Sequence, residues 1–176
     1  GMSPIKSKYK DSNNITNENS PKKNEIKKQI KKILRSQLYG VLATSYDNQP
    51  YTSLLAFVAS HDIKTIYVAT GRNTHKFQNV HKNEKVAFFI DTRSNDNFDV
   101  GTAYALTVFG RAKATHKNES TQIKKLYLQR HPQLESFIQS KNVEFLQIKI
   151  SSFSFVERFQ NVYLLEMDNE KNNSIR

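Results

Sequence analysis

Two apolar runs, residues 40–46 and 51–57, stand only four residues apart, and that spacing constrains the fold more than any other feature of the chain. A link so short cannot carry a parallel crossover, which needs a dozen or more residues, so the runs pair antiparallel as a hairpin. Asp47-Asn48-Gln49-Pro50 supplies the turn, because Asp and Asn tolerate turn geometry. A third strand-like run, Ile66-Tyr67-Val68-Ala69, leads directly into Thr70-Gly71-Arg72-Asn73-Thr74-His75-Lys76, after which Phe77 and Val80 follow at helical spacing. This is a strand handing over to a helix.

Helix starts leave backbone N–H groups unpaired and carry the positive end of a dipole. Hydroxyls at Thr70 and Thr74, with cations at Arg72 and Lys76, would complete an anion site there. The same residues also serve as an ordinary cap with solvated charges, and the local sequence alone leaves both readings open.

Extended runs follow over 85–93 and 103–115, then a helical stretch over 117–129 with Ile123, Leu126 and Tyr127 on its apolar side, stopped by His131-Pro132. A shorter helix over 133–139, a strand over 143–156 and a last strand over 161–165 at a sheet edge complete the reading. Ahead of the hairpin, Ile26, Ile30, Ile33, Leu34 and Leu38 mark an amphipathic helix beginning at Glu25 and ending near Tyr39-Gly40, with Gly40 as its cap. The order of elements is neither a repeating βαβ nor a bundle. It fits a mainly β, α+β domain: an antiparallel Greek-key barrel with helices packed outside.

In this order and spacing, Leu42-Ala43-Thr44, the turn ending in Gln49-Pro50, the block from Thr70 to Lys76 with Asn79-Val80 and Asn83, and the strand closing on Gly110-Arg111-Ala112 resemble the pyridoxamine-phosphate-oxidase-like family of split barrels that bind flavin mononucleotide (FMN). The resemblance is close over residues 26–115 and looser to about 165. It implies that Thr70, Thr74, His75 and Lys76 hold the FMN phosphate. Arg72 shares that load, because His75 stands where many members place arginine. It implies that Thr52, Ser53, Leu54 and Leu55 present backbone and small side chains to the flavin ring. The site would lie between the subunits of a homodimer, closed by Ala103, Tyr104, Ala105 and the loop after Arg93.

The departures matter as much. Ala105 stands where the true oxidases have glutamine, Ser53 where they have arginine, and the chain has no Trp and only Arg158 near its last strand. The expectation is therefore an FMN-dependent oxidoreductase of that wider family, with an unidentified small-molecule substrate and a nicotinamide as a candidate donor, rather than a pyridoxamine-phosphate oxidase. No catalytic residue is assigned, since the cofactor carries the redox chemistry itself. Non-catalytic flavin or haem binding is the alternative.

Composition narrows the classes. With no cysteine there are no disulfides, thiolate metal sites or thiol nucleophiles, and the five histidines lack metal-ligand spacing, so no metal is expected. No apolar run approaches membrane-spanning length and no secretory-type leader is apparent, so the expectation is a cytoplasmic protein without membrane contact. Gly1 ahead of Met2 reads as a remnant of recombinant expression. Of the net charge of +11, residues 1–35 contribute +7. Three segments are expected: a basic, disordered or adaptable arm over 1–24, the barrel domain over 25–167 and a polar tail over 168–176. The arm suits either a polyanion or plain solvation, and nucleic-acid binding is the lesser expectation.

Overall fold

The structure is a computed structural model of the chain and describes residues 12–14 and 21–167. The 168–176 tail and most of the 1–24 arm lie outside the described residues. Within that arm, β1 (Ser12–Asn14) pairs in parallel with the last strand, β8 (Asn161–Glu166). Helix α1 (Pro21–Ser36) starts four residues ahead of Glu25, with proline in the first helical position, where its missing N–H costs nothing. Its buried stripe, Ile26, Ile30, Ile33 and Leu34, joins the barrel core.

Gly40 is not the helix cap. The helix ends at Ser36, and Gly40 lies inside β2 (Tyr39–Tyr46), where a Cβ would run into the ring of Phe88. β2 turns into β3 (Gln49–Ala59) through Asp47 and Asn48 alone, both with positive φ, 51° and 60°, as a two-residue hairpin turn requires. Gln49 and Pro50, expected in the turn, belong to the strand.

The remaining elements are β4 (Thr65–Gly71), α2 (His75–Lys82), β5 (Lys85–Asp91), the single-turn α3 (Asp99–Thr102), β6 (Tyr104–Ala114), α4 (Ser120–Arg130), α5 (Glu135–Gln139) after a 3-10 turn, β7 (Val143–Glu157) and β8. The sheet runs β1-β8-β7-β4-β3-β2-β5-β6, and pairing of β6 with β7 closes six of these strands into a barrel. All pairings but β1–β8 are antiparallel. This is a split barrel, and β7 shows why it splits. One edge of β7 pairs with β6 along most of its length, whereas the other pairs with β4 up to Lys149 and with β8 from Ser152 onward. The switch coincides with a bulge opposite Phe109 and Gly110, where a Cβ on Gly110 would collide with the Lys149 carbonyl oxygen.

Two apolar clusters hold the fold. Leu42, Phe57, Ile66, Val68, Phe88, Leu106, Ile148, Phe153 and Phe155 fill the barrel. A smaller cluster, Val58, Ala69, Ile123, Tyr127, Ile138 and Phe145, seats α4 and α5 on the outer wall. There Tyr127 donates to the Ala56 carbonyl at 3.3 Å, and the buried His131 ring nitrogen Nε2 bonds the Phe57 carbonyl at 2.7 Å. Burial pushes the Tyr127 hydroxyl up to about 12.

Candidate functional site

β3 meets β2 along residues 49–56 but meets β4 only at Phe57, Val58 and Ala59. From Gln49 to Ala56 its other edge has no strand partner among the described residues, so a row of backbone N–H and C=O groups faces outward. Pro50 sits in that stretch, where its lack of an N–H is tolerated because strands with a free edge need not donate at every residue. β4, past Val68, leaves β3 and runs toward α2 paired with β7 alone. The corner between the free edge of β3 and the β4–α2 turn is the candidate site.

The turn is built as the sequence predicts. Thr74 caps α2: its backbone is extended (φ −86°, ψ 154°) and its hydroxyl accepts from the Phe77 N–H at 3.3 Å while donating to the Gly71 carbonyl at 2.9 Å. Thr70, 1% exposed, lies 3.0 Å from that hydroxyl. The cap satisfies Phe77 and leaves the first-turn amides of His75 and Lys76 without a partner inside the helix. Lys76 is half-buried and makes no ion pair among the described residues, and burial holds its ammonium below the usual lysine range. A desolvated cation without a counter-charge favours an anion beside it.

Arg72 is placed differently. Its Nε lies 2.6 Å from the Glu144 carboxylate of β7, and its backbone N–H bonds the Asn142 carbonyl at 2.8 Å. The guanidinium is thus engaged within the chain. Sequence reading passed over Glu144 because its opposition to Thr70 arises from β4–β7 pairing across more than seventy residues. Tyr51 was passed over too: its ring packs on His75 with centroids 5.5 Å apart. Strand alternation carried the signal, since Tyr51 lies opposite Thr44 and both face α2.

Alternation also divides the four ring candidates. Ser53 and Leu55 share the inward face with Tyr51, while Thr52 and the 74% exposed Leu54 face out, so only backbone atoms offer all four to one ligand. Tyr104 and Ala105 are remote. Tyr104 pairs with Glu157 at one end of β7 and Thr70 with Glu144 near the other, roughly 40 Å of strand apart at about 3.3 Å per residue. Tyr104 stacks on Phe155, with centroids 5.4 Å apart. Ala103 is buried just ahead of it. The loop after Arg93 is braced by the buried Asp99, whose carboxylate accepts the N–H groups of Ser94, Asn95 and Asp96 at 2.7–3.1 Å, led by Ser94 in holding that carboxyl below the usual range. It carries Phe98 at its tip, 79% exposed.

The other motif residues are structural. Asn79 donates to the Thr44 hydroxyl at 3.1 Å and Asn83 to the Ser45 carbonyl at 3.0 Å, pinning α2 to β2. Lys82 lies 4.3 Å from the Tyr46 ring centroid. Arg111 pairs with Glu84. Among the described residues no group of three metal-ligating side chains gathers, and no helix is long and apolar enough to cross a membrane.

The chain matches the family profile described as Pyridoxamine 5'-phosphate oxidase over residues 26–157. A pyridoxamine 5'-phosphate oxidase homolog of Schizosaccharomyces pombe is 27% identical over 133 residues, covering 68% of this chain and 70% of that one. Among solved structures, a heme binding protein from Mycobacterium smegmatis aligns with a TM-score of 0.68 at 13% identity, covering 77% of this chain and 55% of that one. A FAD-binding protein from Mesorhizobium loti aligns at 0.59 and 18% identity, covering 72% and 91%. At such identities these two structures speak to the fold alone. The family profile, by contrast, runs from the buried stripe of α1 to the last residue of β7, and the chain belongs to the pyridoxamine 5'-phosphate oxidase family.

Proposed function

We propose that the chain binds FMN at the β4–α2 corner and acts as an oxidoreductase on a small molecule. The observation that carries this reading is Lys76: a partly desolvated cation without an ion pair among the described residues, in the first turn of α2, whose cap Thr74 meets the buried Thr70 hydroxyl. These groups fit a phosphate. Thr70, Thr74, His75 and Lys76 would hold it, and the free backbone edge of β3 from Thr52 to Leu55 would meet the polar rim of the ring. Bound there, the flavin supplies hydride or electron transfer, and the protein contributes position, charge and exclusion of water.

The unit of function is a homodimer in this reading. Tyr104 and Ala105 pair with the opposite end of β7 from Thr70, which favours their serving, with the Asp99-braced loop, the corner of a second copy. Ser53, Ala105 and the absence of Trp argue against pyridoxamine phosphate as substrate. A nicotinamide is the proposed donor and the cytoplasm the proposed compartment.

An absorbance spectrum of the purified protein, with the extracted cofactor identified, tests the proposal. Flavin bands near full occupancy are expected, and bleaching by a nicotinamide donor would support turnover. A colourless protein that takes up no added FMN overturns it, and a haem spectrum favours the binding role of its heme binding structural relative. Lys76→Met is expected to weaken flavin retention by about 2–3 kcal/mol, the scale of a charge-assisted hydrogen bond.

A further inference from the structure

The cations around this corner differ in their freedom. Arg72 is tied to Glu144, and Lys76 makes no ion pair among the described residues. His75 opens α2, with its ring braced on Tyr51 of the free-edged strand, 5.5 Å between centroids and 35° between planes. The helix that carries it is fastened to β2 through Asn79 and Asn83, and Tyr51 meets the exposed ring from the strand side. The charged and titratable groups around it are Tyr51 of β3, which its ring contacts, Lys76, its neighbour on α2, and the Arg72–Glu144 pair at the β4–β7 side of the turn. No carboxylate forms an ion pair with His75 among the described residues.

Resting on the flavin reading above, we propose that His75, positioned by Tyr51, is a proton-dependent anchor for the cofactor phosphate, so that the protein holds FMN more tightly in mild acid than in mild base. An imidazole changes charge between about pH 5 and 8, where lysine and arginine do not. The protonated ring would share the phosphate with Lys76 as a charged donor, and the neutral ring would offer far less. Glu144 prevents substitution by Arg72, because drawing the guanidinium across would abandon an ion pair already made. Cofactor retention therefore tracks pH.

The test compares FMN binding by flavin-free full-length protein at pH 5.5, 7.0 and 8.5, for the native chain, His75→Arg, His75→Gln and Tyr51→Ala, with riboflavin as the phosphate-free control. The phosphate's own second proton, lost near pH 6, affects every variant alike and cancels in their ratio. Native affinity relative to His75→Arg is expected to fall about tenfold from pH 5.5 to 8.5, a typical loss for one charge-assisted bond. His75→Gln should match the native protein at pH 8.5 and fall below it at 5.5. Tyr51→Ala should lose part of the acid-side gain, and riboflavin should show no such trend. A native to His75→Arg ratio that stays constant across pH, with FMN still bound, overturns this inference alone. Failure of every variant to bind FMN overturns the flavin reading and this inference with it.

Discussion

β7 and β3 are both long strands of one barrel, yet they are satisfied in opposite ways. β7 pairs with β6 on one edge and with β4, then β8, on the other, and its Phe153 and Phe155 are fully buried. β3 is sealed only at Phe57, Val58 and Ala59, and its first eight residues keep one edge free and mostly exposed side chains. A strand that spends its hydrogen bonds on neighbours holds the fold together, and one that withholds them can serve a ligand or a second subunit.

Breaking β7 should cost the most. Phe153→Ala removes a fully buried ring and is expected to destabilise the protein by about 3–5 kcal/mol, read by denaturant unfolding. Gly110→Ala, at the bulge facing β7, is expected to cost about 1–3 kcal/mol in the same measurement, since its Cβ meets a backbone carbonyl that cannot swing aside. The Asp99 loop gives a pH-dependent effect. Its carboxyl is held below the usual value of 3.8, so its contribution is present at neutral pH and is lost as pH falls through the folded-state value. Hydrogen exchange of the Ser94–Asp96 amides should rise at that acid limb relative to the barrel strands, and Asp99→Asn should raise it already at pH 7. Smallest is Leu54→Ser on the exposed face of β3, expected within about 0.5 kcal/mol for the fold of a single chain. A drop in the affinity of the proposed dimer with unchanged unfolding would place that face in the subunit contact and sharpen the contrast.

Local pattern made the hairpin, the capped start of α2 and the succession of elements along the chain legible in the sequence, because alternation and turn chemistry act within a few residues. Asp47 and Asn48 announced a turn, but its two-residue length depended on both adopting positive φ, and it was misjudged by counting Gln49 and Pro50 with them. Pro50 inside β3 was in fact the clue to the free edge. Gly40 looked like a helix cap because glycine suits both jobs, and only the proximity of Phe88 decides between them. Arg72 and Glu144, or Tyr51 and His75, meet through strand pairing and helix docking, which no short window of sequence contains.

The two asparagines that fasten α2 to β2 have a broader effect. They make one contiguous stretch, from Tyr39 to Asn83, carry both the strand edge and the β4–α2 corner as a single cassette. Under the flavin proposal, loops and C-terminal strands can then change while the grip on the cofactor travels unchanged.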